Sequence, residues 1–101
     1  NEGGSPWRYI SGPADARDVL AVAATTRTGV RAAFSSFGPS ADGRVKPDVA
    51  AQGQSTLIGN SNGTFSSGSG TSFASPLMAS FVTTLWQAYP HLTAREIIGV
   101  V

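Results

Sequence analysis

A run of small residues, Gly68-Ser69-Gly70-Thr71-Ser72, leads straight into the longest apolar stretch of the chain, and Ser72 is the candidate nucleophile. Glycines lack bulk and let a substrate backbone approach closely. A serine that opens a helix also stands beside free backbone N–H groups and the positive end of the helix dipole, and both favour a developing oxyanion. Pro76 suits this placement, because early in a helix its missing N–H matters little. The same position suits a plainer role, with Ser69 or Ser72 serving as the helix N-cap. Phosphate binding is a third reading, and it fails on chemistry. Gly63 to Gly68 has the G-x-x-x-x-G spacing, but Ser69 and Gly70 stand where a lysine and a Ser or Thr are required.

A serine alcohol needs a base within hydrogen-bond reach and a third group to orient that base. The one histidine, His91, does not qualify. With residues 71 to 88 helical at 1.5 Å per residue, it lies about 25 Å from Ser72. It reads instead as a solvated or helix-capping residue in the turn after Pro90. One histidine and no cysteine leave no material for a His cage, a Cys-based zinc site, a disulfide or a thiol nucleophile. Asp15, Asp18, Asp42, Asp48 and Glu96 are too scattered for an acid pair or a calcium cage, and are expected at the surface or in turns. Asn62-Gly63-Thr64 is a glycosylation sequon by pattern, relevant only in a eukaryotic secretory route.

The elements that must position Ser72 follow from patterning. Asn1 to Pro13 is broken by Gly and Pro and carries Trp7 and Tyr9, as a surface loop does. Val19 to Thr25 is a short apolar run of the kind found in buried strands. Val30 to Phe37 is a second expected strand after a turn at 26–29. Val45 to Ala51 is a third, restricted by Pro47 to an edge or an end. Thr56 to Gly59 and Gly63 to Ser67 form an expected hairpin around Asn60-Ser61-Asn62. Thr71 to Ala88 is an expected helix, apolar nearly all round, which is the pattern of a helix buried in a larger body. Ser75, Ser80, Thr83, Thr84 and Gln87 interrupt it, so it does not read as a membrane span. Pro90 stops it, and Thr93-Ala94-Arg95-Glu96 opens another helix with a capping-box pattern.

Composition narrows the classes further. At 101 residues, with 41% hydrophobic residues, the chain suffices for one small domain with a modest core. Its 13% charged content is about half the usual quarter, as expected for buried sheet, packed helix or part of something larger. A net charge of +1 without a basic patch argues against a nucleic-acid partner. Trp7, Trp86 and Tyr89 are expected to pack rather than to stack on bases. No basic-then-apolar leader is visible at the N-terminus.

Ser69-Gly70-Thr71-Ser72-Phe73-Ala74-Ser75-Pro76 resembles the nucleophile signature of subtilisin-like serine proteases, G-T-S-x-A-[ST]-P. Phe34-Ser35-Ser36-Phe37-Gly38-Pro39 and Val45-Lys46-Pro47-Asp48-Val49 are similar to segments that precede that signature in the family. Asn1-Glu2-Gly3 resembles the A-G-N-x-G segment, and Tyr9 to Val22 the loop and strand that follow it. The resemblance covers essentially the whole chain in the right order. Two positions depart from it: Gln52 stands where the family often has Pro, and Leu77 where it often has His.

The resemblance implies an α/β fold, the C-terminal portion of a three-layer subtilisin-like domain. Such a portion has a parallel sheet, a β-hairpin and a buried nucleophile-bearing helix. It implies that Ser72 attacks the scissile carbonyl of a peptide, and that its own N–H and the Asn1 side-chain amide hold the oxyanion. Glu2 and Ser11 resemble positions at the rim and base of the pocket for the residue before the cleaved bond. Phe73 lies on the leaving-group side. Pro13 matches a position that is often a cis-proline, although trans is the ordinary expectation.

In the family the Asp and His segments both lie upstream of the Asn segment, so residues 1–101 are expected to be a partial catalytic domain, inactive alone. Its partners would be a peptide or protein substrate and the N-terminal remainder of the domain, with self-association of the exposed apolar surface in its absence. No cofactor is expected in this segment, and calcium only in the full-length enzyme. The parent is expected to be secreted, periplasmic or held in the cell envelope. A non-catalytic scaffold acting as a binding or interaction module is the alternative from another class.

Overall fold

The apolar run around Val22 forms a strand because it is short, continuous and apolar with no helix-favouring spacing, and it ends half-buried on both faces around the fully buried Ala24. A computed structural model describes residues 3–101. It contains β1 (Val22–Thr25), β2 (Val49–Gln52), β3 (Thr56–Gly59), β4 (Phe65–Gly68), α1 (Thr71–Ala88) and α2 (Ala94–Val100). β1 and β2 pair in parallel, with Val22 opposite Val49 and Thr25 opposite Gln52. β3 and β4 pair antiparallel, with Thr56 opposite Gly68. The fold is thus mixed α/β, with a parallel pair, a hairpin and helices, as a piece of a subtilisin-like domain should be.

Four strand expectations change in extent, among them the second strand of the hairpin, which covers Phe65–Gly68 rather than Gly63 to Ser67. The first strand begins at Val22, because the segment before it is held by side chains rather than by a ladder. The third covers only Val49–Gln52, since Pro47 has no N–H to contribute. The strand expected over Val30 to Phe37 is absent. Arg31 makes a single bridge to Thr25 and Phe37 a single bridge to Tyr9, with a turn between them. Side chains take the place of a ladder there. Ser35 Oγ accepts from Ala24 N–H at 2.9 Å, and Arg31 donates to the Ser35 carbonyl at 2.6 Å. Gly12–Pro13 is cis rather than trans.

The hairpin turns at Asn60–Thr64, where Gly63 takes φ 81°, a conformation glycine adopts without strain. The helix runs over the expected residues. Thr83 and Thr84, which interrupt its apolar pattern, satisfy their hydroxyls on the Ala79 and Ser80 carbonyls at 2.8 and 3.0 Å. α2 starts with the expected capping box, Thr93 and Glu96 each bonding the other's backbone N–H. Its Ile97 is buried.

Alanines form the core, and that choice sets the geometry. Ala24 on β1, Ala74 on α1 and Ala32 are fully buried, with Val22, Phe34 and Ala51 packed around them. Residues with nothing beyond Cβ let the start of α1 sit close against the parallel pair. The far side of the same helix is uncovered. Leu77 and Phe81, one helical turn apart, are exposed, as are Trp86 and Tyr89. The two parallel strands cover one row of the helix. Among the described residues no helix is long and apolar enough to cross a membrane.

Candidate active site

Ser72 is the second residue of α1, and its side chain is exposed. The N-cap is Gly70, at φ 158° and ψ 154°, and no side chain caps the helix. Ser69 Oγ instead accepts from the Ser55 N–H at 2.9 Å. Neither serine therefore serves as the N-cap, and the plainer reading of Ser72 falls away. At the second helical position its backbone N–H has no acceptor within the helix, which leaves it directed at whatever lies before the first turn.

The placement of that turn is set by Gly53, which follows the carboxyl end of β2. Gly70 N–H donates to the Gly53 carbonyl at 2.7 Å, and Gly53 N–H donates to Thr25 at the end of β1 at 3.0 Å. A Cβ on Gly53 would lie 2.6 Å from the Ala24 Cβ and 2.8 Å from the Gly70 carbonyl oxygen. The turn that leads into Ser72 is thus fastened to the carboxyl ends of both parallel strands, where open α/β sheets place their ligand sites. The Pro-to-Gln departure at Gln52 has a local use: its amide donates to the Gln54 and Ser55 carbonyls at 3.3 Å.

A cleft of about 700 Å³ opens beside Ser72. Thr71, Ser72, Ser75 and Pro76 line one side, while Pro13, Ala14 and the stretch 19–22 line the other. A second cavity, of about 220 Å³, adjoins it through Pro13, Ala14, Val22 and Thr71, and Ser11 lies on its wall. The fold therefore brings Ser11 to the same cavity as Thr71, sixty positions later in the sequence. Phe73 is half-buried with its ring over Gly68, where a Cβ would come within 2.8 Å of it. Asn1 and Glu2, the expected oxyanion donor and pocket-rim residue, lie outside the described residues. His91 sits beyond the opposite end of α1 and meets the Tyr89 ring edge-on, at 6.4 Å between centroids. Among the described residues no group of His, Cys, Asp or Glu could hold a metal ion.

Asp42, Asp48 and Glu96 lie at the surface as expected, and each is held there by specific hydrogen bonds. Asp48 pairs with Lys46 Nζ at 2.7 Å and accepts from the Ala21 N–H at 2.7 Å. Burial alone would raise its pKa, but the Lys46 and Ala21 hydrogen bonds outweigh that and hold it below the ordinary carboxylate value. Asp42 is held at about 2 by its hydrogen bonds from Arg44 and Ser40. Glu96 is lowered by the Thr93 backbone and side-chain bonds.

A carboxylate with a depressed folded pKa binds protons more tightly in the unfolded chain, so its stabilisation is present above the unfolded pKa and lost as pH falls through the folded one. Unfolding midpoints should accordingly hold level above about pH 5 and decline steadily toward pH 2. A denaturation series across that window checks it, and a level midpoint down to pH 2 would refute these bonds.

Single-sequence reasoning missed Gly53, Arg44 and Lys46. For Gly53 no signal existed, since its constraint comes from a helix about twenty residues later. For the other two a signal was present, the alternation of charge at 44, 46 and 48.

Comparison with known proteins agrees with the geometry. A family model described as the subtilase family matches residues 1–101. The chain is 42% identical over 67 residues to a C5a peptidase of Streptococcus pyogenes, covering 62% of this chain and 6% of that protein. It is 35% identical over 102 residues to Subtilisin-like protease SBT6.1 of Arabidopsis thaliana, covering 95% of this chain and 10% of that one. It is 39% identical over 96 residues to an Extracellular protease of Xanthomonas campestris, covering 86% and 16%. The chain thus spans only a small part of the length of each of these relatives. A family match over every residue, joined to a serine at the first turn of a helix seated on the ends of a parallel strand pair, makes this chain a member of the subtilase family.

Proposed function

We propose that this chain is a C-terminal segment of a serine endopeptidase catalytic domain, with Ser72 as the nucleophile. The observation that carries the reading is the position of Ser72: exposed, free of any capping role, and at the start of a helix fastened to the strand ends by Gly53. Ser72 Oγ attacks the carbonyl of a peptide bond and forms an acyl-enzyme, while a base takes the Oγ proton and later returns it to the leaving amine. Its N–H and the Asn1 side-chain amide hold the negative oxygen of the tetrahedral intermediate. Glu2 and Ser11 shape the pocket for the residue before the cleaved bond, and Phe73 borders the leaving side. The base and its orienting acid come from outside these 101 residues. Calcium, if the enzyme uses it, is bound there too. The relatives called C5a peptidase and Extracellular protease support a secreted or surface location.

The exposed row of α1 fits the same reading. Leu77, Phe81 and their neighbours are the face against which the remainder of the catalytic domain packs. Purified alone, the chain should therefore self-associate and show negligible peptidase activity. Sedimentation of the 101-residue chain tests this, and a compact, stable monomer would count against it.

A non-catalytic binding module is the competing reading. Retention of both Ser72 and Asn1 disfavours it, since drift would be free to change either. Reading the coding sequence upstream of Asn1 separates the two. An Asp-x-Gly segment followed by a His-Gly segment completes the triad, whereas replacement of either the Asp or the His marks a binding scaffold.

A further inference from the structure

After the Asp42-Gly43 turn the chain carries charged side chains at alternate positions, Arg44, Lys46 and Asp48. Alternate residues of an extended segment share a face. All three reach backbone groups of one stretch, 27 to 29 residues earlier in the sequence. Arg44 Nη2 donates to the Asp15 carbonyl at 2.6 Å, and Lys46 Nζ donates to the Val19 carbonyl at 2.8 Å. Asp48 Oδ2 accepts from the Ala21 N–H at 2.7 Å. The three contacts are braced from behind. Lys46 and Asp48 pair with each other at 2.7 Å, and Arg44 Nε is held by both oxygens of Asp42 at 3.0 and 2.9 Å.

The Lys46 side chain is only 4% exposed. Withdrawing such a charge from water largely cancels the gain from pairing it, so a buried ion pair is weak support for stability. Its plain consequence is geometric: the backbone from 15 to 21 cannot shift without breaking charged hydrogen bonds. Val19, Leu20 and Ala21 of that backbone line the cleft opposite Ser72, and Asp15 follows directly on Pro13 and Ala14, which line it too.

We propose that Arg44, Lys46 and Asp48 are positioning residues of the peptidase, a side-chain comb that fixes the two lining stretches, 13–14 through Asp15 and 19–21 directly, relative to the nucleophile and so sets how a peptide is presented to Ser72. The inference rests on the serine-peptidase reading of Ser72. None of the three touches the reacting atoms; they act through the backbone they hold.

The test uses the intact enzyme that carries this segment, with Lys46→Met and, separately, Arg44→Gln. The second side chain is partly exposed, so its variant folds even if the first does not. Peptide KM and kcat, labelling by a small fluorophosphonate, and hydrogen exchange of the 14–22 and α1 amides are read together. In both variants KM should rise on the order of tenfold with kcat nearly unchanged. Labelling of Ser72 should keep its rate. The Ala21 amide should exchange faster in Lys46→Met, while α1 amides keep their protection.

A folded variant with unchanged KM and unchanged exchange overturns the proposal. So does loss of kcat together with α1 protection, which is what a merely structural pair would give. If the unsubstituted enzyme neither cleaves peptides nor labels, the serine-peptidase reading fails, and exchange at Ala21 still decides whether the comb holds the wall.

Discussion

Ser72→Ala in the intact enzyme is expected to abolish peptide hydrolysis while leaving the fold as it was. Ser72 is exposed and makes no cap, so removing its hydroxyl breaks no capping bond at the start of α1. Chemistry is a different matter, because the acyl intermediate has no other atom on which to form. Loss of the nucleophile in subtilisin, a relative in the same family, lowers turnover by roughly 2 × 10⁶, and that known case sets the expected scale here. Substrate affinity should be nearly unaffected, since the hydroxyl contributes through the reaction and not through binding. Single-turnover kinetics with circular dichroism check both halves. Residual turnover within tenfold of the unsubstituted enzyme would remove Ser72 from the mechanism.

Gly53→Val should be the most damaging substitution outside the nucleophile. The new Cβ would lie 2.6 Å from Ala24, 2.8 Å from the Gly70 carbonyl oxygen and 3.1 Å from Ala74. One of those neighbours is backbone and the other two are fully buried alanines, so none can swing aside. Relief requires α1 to move off the parallel pair, which stretches the 2.7 Å bond from Gly70 N–H to the Gly53 carbonyl. Overpacking of this kind destabilises by about 3 kcal/mol. The nucleophile turn shifts with the helix, so whatever folds should also lose turnover by on the order of a hundredfold. Denaturant unfolding and kcat measured on the same preparation check the two effects. Unchanged stability would show that the helix start is not fastened as described.

Ser72 and its helix were legible in the sequence because their signals are local. Small residues before an apolar run, a proline in the first turns and a second proline after it bracket Thr71–Ala88 without reference to anything distant. Thr93 and Glu96 likewise announce α2 within four residues. Val30 to Phe37 misled for the complementary reason. Its apolar residues suit a strand, but Ser35 and Arg31 divert the backbone bonding into side chains, and only the position of Ala24 reveals it. Asp48 lies at the surface as its sequence suggests, but its bond from the Ala21 N–H depends on a segment 27 residues away and could not be read locally. Roles for Asn1, Glu2 and Ser11 came from family resemblance alone, since nothing in their spacing singles them out.

The central claim, that Ser72 becomes a nucleophile once the rest of its catalytic domain is present, is most directly tested by fluorophosphonate labelling with mass-spectrometric mapping of the adduct. The account predicts a single adduct on Ser72 in the intact enzyme, none in Ser72→Ala, and none in the isolated chain, whose only imidazole lies beyond the far end of α1. A folded intact protein that never labels, or one that labels at another serine, would contradict it.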